Sequence, residues 1–177
     1  MLKKFMGVAT ALALMAPVGV ALAKPAAAAP IVTCAKPSGS VTFTPGLGTT
    51  KKIQTTKFNL PVKNCTGTGG VKSGTSVGST KGTKPENCAT FGSTPSTKTK
   101  VTITWNNGKK SISTLTTTIK PVSGGITATV VGKITSGTAF VGKTIKTKVK
   151  VTLKGGCTDA NPLKKAVLTG LAPLTIS

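Results

Sequence analysis

Apolar residues in this chain recur at every second position, in short runs closed by Gly, Pro and Asn, and no helical period survives beyond a few residues. Val41 and Phe43 alternate with Ser and Thr ahead of Pro45-Gly46, and Phe58, Leu60 and Val62 alternate with Lys57, Asn59 and Pro61. Val71 and Val77 sit in a Gly/Ser/Thr segment that reads as a weak strand or a loop. Val101, Ile103 and Trp105 alternate with Lys100, Thr102 and Thr104 and run into Asn106-Asn107-Gly108. An Asn-Gly between alternating runs is the strongest local hairpin signal, because both residues tolerate positive φ. The return strand, Ser111 to Ile119, changes apolar phase between Ile112 and Leu115, which predicts a bulge. Ile126, Ala128, Val130 and Ile134 mark another strand. The clearest is Lys143 to Lys154, where Ile145, Val149, Val151 and Leu153 face one way and Lys146, Lys148, Lys150 and Lys154 the other. Val167 to Ile176 closes the chain, with Pro173 marking an edge or a bulge. About seven to nine short strands without helices predict an all-β fold: an antiparallel Ig-like β-sandwich, with a small β-barrel as the alternative.

The N-terminus reads differently. Lys3 and Lys4 precede an apolar stretch from Phe5 to Leu22, and Ala21-Leu22-Ala23 is a small-x-small cleavage pattern. Residues 1–23 are therefore expected to be a signal peptide, with Ala29 as a second cleavage point, residues 24–33 a flexible segment and residues 34–177 one domain. Pro17 and Gly19 argue against a membrane span, and Cys34 follows Ile31-Val32-Thr33 rather than a lipoprotein triplet. No later stretch is long or apolar enough to cross a bilayer, and no wall-sorting tail precedes Ser177, so a secreted product, free or held at the envelope, is expected.

Four cysteines, an even number in an exported chain, imply two disulfides. Three pairings are possible. Cys34–Cys65 with Cys88–Cys157 is favoured, because the first clips an N-terminal hairpin-like unit and the second ties the middle of the chain to its penultimate turn. In the chain-entropy description such loops contribute on the order of 3.5 and 4.4 kcal/mol.

Taken together these motifs resemble a group of small exported Ig-like β-sandwich proteins of high-GC Gram-positive bacteria. The resemblance is carried by the early cysteine with Gly39 to Leu47, the cysteine before a Gly/Thr-rich stretch (Asn64 to Thr75), Asn87-Cys88-Ala89-Thr90, Thr102 to Gly108 and the closing strand. It implies fold and export; the group has no assigned activity. This chain carries lysine where such proteins carry Thr, Ser and Asp.

Charge is what narrows the chemistry. The chain holds 24 lysines, no arginine, no histidine and two acids, Glu86 and Asp159, for a net charge of +22. Without histidine there is no imidazole base for a serine or threonine nucleophile, no Gly-x-Ser-x-Gly elbow is present, and a zinc site has no donor set. Glu86 and Asp159 each lie two residues from a cysteine, so a Cys88–Cys157 bond would make them neighbours. Turn capping and pairing with Lys84, Lys164 or Lys165 is nonetheless the simpler role for them. Two carboxylates are also too few for a calcium site. An intramolecular Lys–Asn bond would need a buried acid, whereas both acids sit in expected loops. No enzyme, cofactor or metal is expected.

The lysine rows are the candidate site. Residues on one face of a strand lie about 6.8 Å apart. Neighbours among Lys146, Lys148 and Lys150 then repel by about 0.6 kcal/mol in water. Lys98 and Lys100 repeat the pattern, opposite in phase to Val101 and Ile103. Two acids cannot neutralise these rows, so anionic polymers are the expected partners: wall phosphate, acidic glycan, lipid headgroups or non-specific nucleic acid. Without guanidinium forks or tyrosines, sequence-specific DNA readout is not expected. Trp105 shares the phase of Val101 and Ile103 and is expected in the core. The competing readings are a secreted cationic effector acting on competitor cell surfaces, and lysines that serve only solubility and protect strand edges.

Overall fold

Val, Ile, Leu and Phe at alternate positions need a dry face, and the Thr, Ser and Lys between them need water; the strands form where that alternation runs. The computed structural model of the chain describes residues 29–93 and 96–177. The expected signal peptide, residues 1–23, lies outside the described residues. The strands are β1 (Val32–Cys34), β2 (Ser38–Leu47), β3 (Thr55–Val62), β4 (Thr66–Gly67), β5 (Gly74–Lys81), β6 (Ser96–Trp105), β7 (Lys110–Val122), β8 (Gly125–Gly137), β9 (Thr144–Thr152) and β10 (Leu163–Ile176). Of the two readings of the Gly/Ser/Thr segment, weak strand or loop, the strand holds over Gly74–Lys81 (β5). One element differs from expectation: β1 begins inside the segment expected to be flexible, with Ile31 N–H bonded to Ile176 O at 2.7 Å.

All pairings are antiparallel, in the order β2-β3-β5-β6-β7-β8-β9-β10, and β10 also pairs with β2. That last pairing closes the sheet into an eight-stranded barrel, the second of the two architectures expected. The first half of β10 runs beside β2 and its last residues beside β1. Gly170 marks the passage: a Cβ there would lie 2.5 Å from Pro37 O, where the β1–β2 connection crosses the strand. Register breaks flank Gly170, Ala172 and Pro173, so the proline sits at a bulge. β4 pairs with β1, and the Cys34–Cys65 disulfide fastens this corner. Cys88–Cys157 joins the β5–β6 and β9–β10 connections.

Two local expectations are refined. The β6–β7 turn has three residues, since Trp105 N–H bonds Lys109 O, and only Gly108 takes positive φ (75°). Asn106 and Asn107 instead hold the neighbouring 68–73 loop: Asn106 Oδ1 accepts from Lys72 and Ser73 N–H, and Asn107 Nδ2 donates to Gly69 O. The expected break on β7 falls at Ile112/Ser113, but the extra residue, Thr135, is on β8. The phase of β7 itself is constant. Ser111, Ser113 and Leu115 face inward and Ile112 faces out.

The interior holds two apolar clusters, one around Trp105, Ile103, Ile134 and Leu174 and one around Phe43, Leu47, Val149 and Leu168. Trp105 is core, 2% exposed, edge-on to Phe140. Its Nε1 donates to Ser111 Oγ at 2.9 Å, and Ser111 Oγ donates to Ala139 O at 2.9 Å. Removing that hydroxyl strands a buried indole N–H. Ser111→Ala is expected to lower the unfolding free energy by about 1–3 kcal/mol in a urea titration; an unchanged midpoint would show that the indole finds another partner.

Candidate functional site: a lysine-covered outer wall

Strand parity decides which lysines share a surface. On β9, Ile145, Thr147, Val149 and Val151 are buried, while Lys146 and Lys148 are exposed and Lys150 is half-buried on the outer face. On β6, Thr99 and Val101 are buried and Lys98 and Lys100 exposed. The two rows are not adjacent, because β7 and β8 lie between them. Lys154 does not extend the β9 row. The strand ends at Thr152, and Lys154 is exposed in the connection that follows.

The intervening strands supply what joins the rows. Lys100 pairs with Thr114 on β7, Thr114 with Lys133 on β8, and Lys133 with Thr144 on β9. Lys98 connects in the same way through Thr116 and Val131 to Lys146. Lys120 and Lys150 flank Thr127. With strands about 4.8 Å apart, lysines two strands away in such a row are about 10 Å apart at their backbones, and the diagonal pair Lys133–Lys146 about 7–8 Å. Lys120 and Lys133 were not singled out from the sequence. Their outward parity against Ile119 and Ile134 was readable, but their neighbours are set by cross-strand register.

The distribution around the barrel is uneven. Strands β6 to β9 carry Lys98, Lys100, Lys110, Lys120, Lys133, Lys146, Lys148 and Lys150. The other four walls carry Lys57, Lys81, Lys164 and Lys165. Neither acid lies on a strand. The result is a half-cylinder of ammonium groups spaced by threonine hydroxyls, without a carboxylate.

Both acids lie near the Cys88–Cys157 corner, each two residues from one of its cysteines. Segment 48–52 runs past both. Asp159 Oδ2 accepts from Thr50 Oγ1 at 2.5 Å and Thr49 Oγ1 at 2.7 Å, and Oδ1 accepts from Thr50 N–H at 3.0 Å. Glu86 meets the same segment through its main chain, in a two-bond bridge with Lys52. The Thr50 hydroxyl, then the Thr49 hydroxyl and the Thr50 N–H, with a smaller contribution from the Lys52 charge, lower the Asp159 pKa from 3.8 to about 2. Asp159 thus caps a loop through threonines, with Lys52 nearby in place of the expected Lys164 or Lys165. Among the described residues no three His, Cys, Asp or Glu side chains gather as a metal site.

Inside the barrel, between the two apolar clusters, lies a cavity of about 400 Å³. Inward residues of all eight walls line it, from Val41 on β2 through Thr99 on β6 and Thr147 on β9 to Leu168 on β10. It reaches the surface where Lys81, Gly82, Lys84 and Glu86 border one end. Sequence reading missed it. The sparse aromatics and the inward Ser76, Thr99, Ala128 and Thr147 were its only trace.

Comparison with models of protein families, with curated proteins and with solved structures finds no match for this chain. Among the described residues no helix is long and apolar enough to cross a membrane.

Because the folded pKa of Asp159 lies below its unfolded value, the stabilisation from its charged form is complete above pH about 4 and is lost as pH falls toward 2. The thermal midpoints of the parent and Asp159→Asn are expected to differ at pH 5 and to converge between pH 4 and 2. A gap that stays constant across that window would remove the carboxylate charge as its source.

Proposed function

We propose that this protein is a secreted, non-enzymatic cationic module, of the exported group it resembles, that associates with anionic polymers of the envelope or its surroundings. The observation that carries this reading is the concentration of strand lysines on β6 to β9 with no carboxylate among them. A linear polyanion laid across that half-cylinder meets an ammonium group about every 7–10 Å, and releases counterions as it binds. Threonine hydroxyls between the lysines can donate to phosphate, sulfate or carboxylate oxygens.

The solubility reading is weakened by the closed sheet. Lysine protects strands whose backbone groups are unpaired, and a barrel wall paired on both sides has no such edge. Yet β7, β8 and β9, each paired on both sides, carry six of the lysines. The effector reading asks for an apolar face beside the charges. Among the described residues, the only exposed large apolar side chains on β6 to β9 are Val122 and Val131, and Ile53, Val77, Val141, Val167 and Leu171 are spread over other strands and loops.

Patch and bulk charge separate by comparing two variants of equal net charge. Lys146→Gln/Lys148→Gln/Lys150→Gln is expected to elute from heparin resin at lower salt than the parent. On duplex DNA it should reduce the slope of log K against log salt by about 2–3. Lys57→Gln/Lys81→Gln/Lys165→Gln, on the opposite walls, is expected to change both far less. Equal losses in the two variants would mean that net charge alone governs binding. Dye release from anionic vesicles by the parent would favour the effector reading instead.

A further inference from the structure

We infer that the interior of the barrel is a binding site for a slim apolar molecule that ends in a hydroxyl group, held with its polar end at the mouth. The volume, about 400 Å³, lies within the range of small-molecule sites, and eight-stranded barrels are wide enough to hold one such ligand. The walls are predominantly aliphatic: Val101, Leu115, Val130, Val149 and Leu168 face the space from five strands. Several polar side chains in the lining already have partners. Thr80 and Thr99 hydroxyls bond each other, and Thr147 Oγ1 donates to Ala172 O at 3.2 Å.

Gln54 does not. It is 3% exposed, lines the cavity and continues the inward parity of Thr56 and Phe58. Its main-chain carbonyl accepts from Gly82 N–H at 2.8 Å, which places it at the mouth. The side-chain Nε2 donates to Lys52 O at 3.5 Å, whereas Oε1 has no partner. A buried amide oxygen left unmet is destabilising, and native folds pair such atoms almost without exception. The missing partner is a donor that enters with the ligand. A carboxylate has no proton to give it, and an ammonium head would approach a mouth where Lys81 and Lys84 leave a net positive charge beside the single acid, Glu86. A neutral hydroxyl satisfies Gln54 and meets neither objection.

The test uses diphenylhexatriene, which fluoresces in apolar surroundings, with the purified chain, and competes it with 1-decanol, decanoate and decylammonium. Diphenylhexatriene is expected to brighten with saturable, one-to-one binding, and decanol to displace it at concentrations at least tenfold below the two charged competitors. Gln54→Leu is expected to weaken decanol, relative to diphenylhexatriene, by about three- to tenfold. Ala128→Phe, which fills the cavity from β8, is expected to abolish both. Absence of brightening, equal competition by all three head groups, or undiminished binding by a folded Ala128→Phe would overturn the assignment. If Ala128→Phe does not fold, methyl NMR of the parent decides. Decanol-induced shifts at Leu115 and Val149 support the interior site, and shifts confined to the exposed Val77, Val141 and Val167 overturn it.

Discussion

The pairing of β10 with β2 is the contact on which the rest of this molecule depends. Without it the eight walls would be an open sheet with two raw edges, and the apolar residues at alternate positions would need a second layer to cover them. With it, each strand's inward side chains face those of the strands opposite, and one sheet serves as both layers. β10 reaches this position by bending at Gly170 and Pro173, so that one strand serves β2 and then β1. The Cys34–Cys65 and Cys88–Cys157 bonds fasten connections rather than walls, the first beside the β1–β4 corner and the second between two long connections.

Closure also explains why the interior is not full. A barrel's radius is fixed by its strand number and stagger, not by the side chains available to fill it. With five phenylalanines, one tryptophan and no tyrosine in the whole chain, aliphatic and hydroxylated residues meet around a space instead of across it. Aromatic contacts gather in the two clusters, Trp105 edge-on to Phe140 in one and Phe43 edge-on to Phe91 in the other. The gap lies between them.

How much of this was legible in the sequence follows from the range of each interaction. Alternation is local, so the strands from Val41 to Ile176, the buried phase of Trp105 and the β9 lysine row were all readable. The hairpin at Asn106-Asn107-Gly108 was readable too, though Gly108 alone needs the left-handed backbone. The choice between sandwich and barrel was not, because it turns on whether β2 and β10, near opposite ends of the chain, share hydrogen bonds. For the same reason Lys98 and Lys100 were placed on the correct face without the strands that join them to Lys146. Lys154 was misplaced because the alternation continues on paper after the backbone has left the sheet at Thr152. Gln54 carried no signal, since it sits just before the alternating run and its isolation exists only once the walls surround it.

On β9, each ammonium group is one peptide away from a side chain of the interior, and this neighbourhood constrains how the family of possible descendants can vary. Replacing a letter at 146, 148 or 150 redraws the exterior and leaves the lining untouched. Deleting or adding a single letter upstream on the same strand would turn three cations into the apolar space and four aliphatic or hydroxyl groups, Ile145, Thr147, Val149 and Val151, out to solvent. The coat of this barrel is therefore free to drift by substitution, while its strand lengths are locked.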